Sequence, residues 1–270
     1  MLVAVRTGAW ANSGSPTPSA YGGLRFTAES ANSSVQLTAV GSAPAVTLVK
    51  SFDGVNWEDY AVGEVIDLPS IGDFVYLAAG EGGNETFGSS SSIINNFNKF
   101  VINGLVAASG DITSLRNFDL AQTTLASFCY YSMFSDCTGL TSAPELPATT
   151  LAGSCYNSMF SGCTGLTSAP ELPATTLAGN CYYSMFSGCT GLTSAPELPA
   201  TTLAGNCYRS MFNGCTQLSL IKAHFTAWGT QTNNWVSGVA PTGIFYKPNA
   251  LTEEYGTSKI PTGWTVVNID

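Results

Sequence analysis

A 26-residue unit recurs head to tail in the second half of this 270-residue chain. The first copy reads CYYSMFSDCTGLTSAPELPATTLAGS from Cys129, and the second CYNSMFSGCTGLTSAPELPATTLAGN from Cys155. The third reads CYYSMFSGCTGLTSAPELPATTLAGN from Cys181, and a fourth begins CYRSMFNGCTQLSL at Cys207 before diverging. A half-copy, Leu120 to Ala126, precedes the first, and copies two and three differ only at Asn157 versus Tyr183. A unit this short cannot bury its own apolar face, so it must stack on its neighbours. The expected fold class is mixed β/α: an N-terminal β-sandwich-like domain, a short repeat solenoid and a C-terminal cap.

Two local structures are expected in each copy. Leu166 to Pro173 is apolar at spaced positions and broken by proline, which predicts an extended rung. In Thr175 to Cys189, the residues Leu177, Cys181, Met185, Phe186 and Cys189 lie at spacings that share one helical face, which predicts a helical return. An interruption at Gly179 or Asn180 would turn this into a 3₁₀ turn followed by a short helix. The repeat core is expected to be Cys155, Met159, Phe160, Cys163, Leu166, Leu172, Leu177, Cys181, Met185, Phe186, Cys189 and Leu192.

The rest of the chain divides around this array. Residues 1–23 lack periodicity and read as an arm or anchor. Residues 24–106 carry short β-branched and aromatic runs around Phe26, Val35, Val46, Val65 and Phe74, separated by turn signals such as Asp53-Gly54. Trp57 is expected at a strand start as a core or interface plug, and Gly88 to Ser92 as a polar loop. The array spans 107–218. Residues 219–270, with Trp228, Trp235 and Trp264, read as a cap over the last apolar rung.

The pattern formed by Leu166, Ala169, Leu172, Pro173, Leu177, Cys181, Met185, Phe186, Cys189 and Leu192 resembles the BspA-type bacterial leucine-rich repeat of gut Bacteroidetes and their phages. Trp235 to Phe245 and Ile260 to Val266 are similar to the C-terminal cap of such proteins. Val46 to Trp57 and Val106 to Leu115 are similar to the β domain that commonly precedes the repeats. The resemblance implies a leucine-rich-repeat solenoid and is nearly silent on ligand.

Composition narrows the function classes. Nine basic against eighteen acidic residues give a net charge of −9, and no basic patch is present, so a nucleic-acid partner is not expected. No apolar run is long enough for a membrane span. Met1 to Gly23 lacks the basic and apolar regions of a secretory signal, so export by the general secretory route is not expected. His224 is the only histidine, which disfavours metal, triad and acid–base schemes; neither a cofactor nor a catalytic residue is expected.

The eight cysteines follow from two positions copied four times. No pair has zinc-finger spacing, so buried thiols acting as small apolar groups are expected, with a bridge between stacked copies as the alternative. Three ladders are candidate surfaces. Glu145, Glu171 and Glu197 would form a stripe for a cation or cationic ligand, or else solvated side chains beside a proline turn. The threonine pairs 149–150, 175–176 and 201–202 read as helix N-caps. Tyr131, Asn157, Tyr183 and Arg209 vary among nearly constant neighbours, which predicts an exposed protein- or glycan-binding stripe.

The resulting expectation is a non-enzymatic bacteriophage virion protein. Its N-terminal region would bind other virion proteins, its repeats would bind a host surface protein or glycan, and it would be a homo-oligomer. The alternative is a bacterial cell-surface adhesin with the same repeats.

Overall fold

The computed structural model describes residues 23–84, 87, 96–116 and 123–269. The arm before Gly23, the 88–92 loop and the start of the half-copy lie outside the described residues.

The N-terminal region is built from two antiparallel sheets. One contains β1 (Arg25–Ala28), β3 (Leu48–Ser51), β4 (Glu58–Tyr60), β6 (Phe74–Ala79) and β8 (Val106–Ser109), in the order β4-β3-β6-β1-β8. The other places β2 (Ser33–Val40) between β5 (Val65–Leu68) and β7 (Phe97–Asn103). Alternation sends Phe26, Val35, Leu37, Val75, Leu77 and Phe100 into one shared core, with Phe26 and Phe100 ring centroids 5.0 Å apart. On the outer face, Trp57 sits just before β4 and packs with Val49, Ala78 and Tyr76.

The first sheet continues into the repeats. β9 (Leu140–Ser142), in the first copy, pairs parallel with β8. Strand β7 also serves as the layer before the first copy: the Phe100 amide donates to the Met133 carbonyl at 2.7 Å, and Phe100 stacks on Phe134 at 5.1 Å. From there a phenylalanine column runs Phe134, Phe160, Phe186, Phe212, with centroids 5.5 to 5.8 Å apart and rings within 9° of parallel. A tyrosine column, Tyr130, Tyr156, Tyr182 and Tyr208, runs beside it at 5.7 to 6.1 Å.

The mixed β/α class and its helical return are overturned. No α-helix occurs among the described residues; the regular non-strand elements are two 3₁₀ turns, Ile112–Leu115 and Thr230–Thr232. The segment read as helical is a run of tight turns. In the third copy the amides of Cys181, Tyr183, Met185, Ser187 and Cys189 each donate to the carbonyl three residues earlier. The amides between them, from Asn180, Tyr182, Ser184, Phe186 and Gly188, donate to carbonyls of the next copy, 25 residues on, at 2.7 to 3.1 Å. Each successive peptide thus alternates between its own turn and its neighbour, which satisfies the backbone that a helix would have satisfied internally.

The physical cause is a left-handed residue at every fourth position: Asn180 (φ 58°), Ser184 (φ 51°) and Gly188 (φ 76°). Side chains there cost little on Asn and least on Gly, and each interrupts right-handed helix. The pattern therefore has a period of four, close enough to 3.6 to imitate a helix over three turns. At Gly188 the constraint is the backbone alone, since a Cβ there would meet the Cα of Gly162 in the preceding layer at an ordinary 3.6 Å.

The expected extended rung is a strand in the first copy, at Leu140–Ser142, and in the third it is reduced to isolated parallel contacts of Ser194 with Leu220 and Leu198 with Ala223. Proline on either side of Leu198 limits pairing to these points. The leucine-rich-repeat solenoid of strand and helix is thus replaced by turn-built layers, with β9 the only regular strand among residues 129–218.

The tail continues the layers of the array. β10 (Leu220–Lys222), β11 (Ile244–Lys247) and β12 (Thr265–Asn268) form a parallel sheet that extends the repeat wall. The Ser210, Phe212 and Gly214 amides donate to Asn233, Trp235 and Ser237, as in the copies before them. Trp235, fully buried, lies over Tyr208 at 6.5 Å and ends both aromatic columns. The Trp228, Trp235 and Trp264 indoles each donate at 2.8 Å to a carbonyl 24 residues away, so all three are engaged between layers.

The tyrosine column leaves two hydroxyls unpaired. The hydroxyls of Tyr156 and Tyr182 are buried with no hydrogen-bond partner among the described residues, whereas Tyr130 donates to Ile112 O at 3.3 Å. An unpaired buried hydroxyl costs about 1–3 kcal/mol. Tyr182→Phe is therefore expected to melt at or above the wild-type temperature in a calorimetric scan; a clear fall would show that the hydroxyl is satisfied.

Candidate functional surface

The array shows the solvent several columns, one residue per layer, and the wall and turns decide which side chains emerge. Cys155, Met159, Phe160, Cys163, Leu166, Cys181, Met185, Phe186, Cys189 and Leu192 are fully buried, Leu172 nearly so, and Leu177 is half-buried against the core.

All eight cysteines are free and buried. Those of the second position have a specific role: the thiols of Cys137, Cys163, Cys189 and Cys215 donate at 3.0 to 3.1 Å to the carbonyls of Phe100, Phe134, Phe160 and Phe186 in the preceding layer. Burial pushes the Cys129 thiol up to about 11 and those of Cys137, Cys155, Cys207 and Cys215 up to about 12. Thiolate is therefore scarce at neutral pH. Titration with a disulfide reagent at pH 8 is expected to label less than one thiol per native chain and all eight after denaturation. Rapid labelling of the native protein would contradict the packing.

The variable column is partly hidden. Tyr131 is buried, held against Phe97 at 5.7 Å and Phe128 at 6.5 Å, so it does not belong to an exposed stripe. Asn157 and Tyr183 are half-exposed and Arg209 exposed. The Arg209 guanidinium lies 5.9 Å from the Tyr183 ring centroid, which joins two layers into one aromatic and cationic patch.

The glutamates are exposed, but they are not equivalent. Asp111 bridges Glu145 through the backbone, extending the acidic column by one layer. Glu145 and Glu171 are solvated. Glu197 accepts from Lys222 at 2.9 Å and from His224 at 2.6 Å, and these contacts hold its carboxyl below the usual range. Because the folded carboxyl is depressed, this contribution is present above the unfolded value and fades as pH falls through the lowered one. Its exposure keeps the contribution small. Lys222 and His224, which terminate the column, come from the end of β10 and from two residues beyond it, in the segment read from sequence as a cap.

Each threonine pair is exposed, and the N-cap explanation falls because no helix follows it. Thr150 and Thr176 instead carry the parallel backbone bridges between layers. Among the described residues no group of three or more His, Cys, Asp or Glu is placed to hold a metal ion, and no helix is long and apolar enough to cross a membrane.

Comparison with known proteins found no matching family model, no matching curated protein and no matching solved structure.

Proposed function

We propose that this chain is a non-enzymatic binding protein of a bacteriophage particle, fixed through its N-terminal unit and presenting the stacked repeats to a host surface protein or glycan. The observation that carries the binding role is the Asn157–Tyr183–Arg209 column. It is the position where nearly identical copies diverge, and it faces solvent from layers that are otherwise held rigidly in register. Aromatic and arginine side chains on a preformed surface are the groups that supply most contact energy at protein interfaces. The particle assignment rests on the likeness to repeats found in gut phages and on the low-charge, hydroxyl-rich composition.

Density-gradient separation of the source culture, followed by mass spectrometry, tests the particle assignment. The chain is expected to co-migrate with DNA-filled particles, as a homo-oligomer, at a fixed ratio to the major capsid protein. Recovery with bacterial envelopes would replace this reading with a cell-surface adhesin. For the binding role, Tyr183→Ala/Arg209→Ala is expected to lower attachment to host cells about tenfold with unchanged melting. Undiminished attachment would remove the column from the account.

A further inference from the structure

Strand directions place four turns at one end of the two-sheet unit: residues 29–32, 52–57, 69–73 and 104–105. The register fixes this, since Thr27 faces Phe74, Ala28 faces Val106, Ser51 faces Tyr76 and Ser34 faces both Asp67 and Asn103. From these turns Phe52, Val55, Ile71 and Leu105 point into solvent at 49, 68, 71 and 48% exposure.

Their turns are not loose. Asp53 accepts from the Val55 and Asn56 amides at 2.8 Å, from the Asn56 side chain at 2.6 Å and from the Ser51 hydroxyl at 3.0 Å. Asp73 accepts from the Ser70 amide at 2.8 Å, and the Gly72 amide donates to Ala28 O at 2.9 Å, closing the turn under Ile71. Leu105 donates to Ser30 Oγ at 2.8 Å, while its carbonyl accepts from Glu29 N at 2.8 Å. Turns whose backbone is fixed before contact lose little conformational freedom on binding.

The surrounding charge is acidic. Glu29, Asp53, Glu58 and Asp73 lie in or beside these turns. The nearby cations are engaged: Lys50 by Glu58 and Glu64, and Arg25 over the Phe74 ring at 4.2 Å.

We infer that this end of the unit is a docking surface for a different protein, one whose contact face combines an apolar cleft with a rim of Lys and Arg. The inference rests on the attachment reading above and names the surface through which attachment occurs. Charge complementarity selects the partner, because an acidic rim disfavours both a second copy of the same end and an anionic membrane.

The test places a benzophenone amino acid at position 52 of the full chain, expressed in the cells that make it, with position 183 as a control site. Irradiation is expected to yield one dominant adduct from position 52, to a single other protein, through a segment rich in apolar and Lys/Arg residues. Its yield should fall as salt is raised from about 50 to about 500 mM. Phe52→Ser/Ile71→Ser is expected to melt within about 2 °C of wild type, as exposed substitutions do. It should be retained on the partner about tenfold less. Leu105→Ser gives the same readout from a different turn if the double variant does not fold. No adduct, adducts scattered over many proteins, an adduct to a second copy, or full retention of the variants would overturn the inference. An adduct to a bacterial envelope protein would instead refute the particle reading and leave the docking surface standing.

Discussion

Met185→Asp is expected to unfold the repeat array. Met185 is fully buried in the core that holds both aromatic columns, and its amide and carbonyl both serve the layers: the amide closes a turn on Tyr182, and the carbonyl accepts from Phe160 at 2.9 Å. The third copy, 181–206, contains no Lys or Arg, so a carboxylate there has no cation within its layer. Burying an unpaired charge or polar acid in such a site costs several kcal/mol, and the lost packing adds about 2–5 kcal/mol. That exceeds much of the roughly 5–15 kcal/mol that holds an ordinary domain folded. Limited proteolysis and a thermal melt measure it: rapid cleavage within residues 129–218 and loss of the cooperative transition are expected. Melting near the wild-type temperature would place Met185 outside the core.

Trp235→Ala carries the second large effect, and it bears on the tail. Trp235 closes the phenylalanine and tyrosine columns together, contacts Phe225, Trp228 and Phe245 edge to face at 5.8 to 6.1 Å, and donates to Lys259 O at 2.8 Å. Removing the ring leaves a cavity between layers and orphans that carbonyl, at a cost of about 3–5 kcal/mol. Because the layers are coupled through interlayer hydrogen bonds, the loss should lower the melting of the whole array rather than fray the last fifty residues alone. Chemical denaturation with separate tryptophan and tyrosine readouts distinguishes these: one shifted transition is expected, and an unchanged tyrosine transition would make the tail an independent piece.

The strand segments around Phe26, Val35, Val65 and Phe74 were legible because alternation at period two has no competing interpretation in short β-branched runs. β7 was not: Asn96, Asn98 and Asn103 mask its alternation, and its importance lies in Phe100, which only the stacked structure reveals as the foot of the phenylalanine column. The repeat period was plain from identity between copies, and so was the core membership of Cys181, Met185, Phe186 and Cys189. Their conformation was misread because four-residue turns and a 3.6-residue helix bury the same side chains over so short a span. The distinguishing signal was Asn180 and Gly188, residue types that tolerate a left-handed backbone, with the small polar Ser184 midway between them. Among candidate surface residues, variation between copies located Tyr183 and Arg209. It failed for Tyr131, because that layer alone borders β7 and Phe97 covers it.

The central claim is that each copy is a layer of turns, with alternate amides bonded to the next layer and no helix. Far-ultraviolet circular dichroism of the intact chain tests it most directly. The expected spectrum lacks a helical minimum at about 222 nm and loses its β and turn signal in one step on heating. A helical contribution equal to one short helix per copy would contradict the claim.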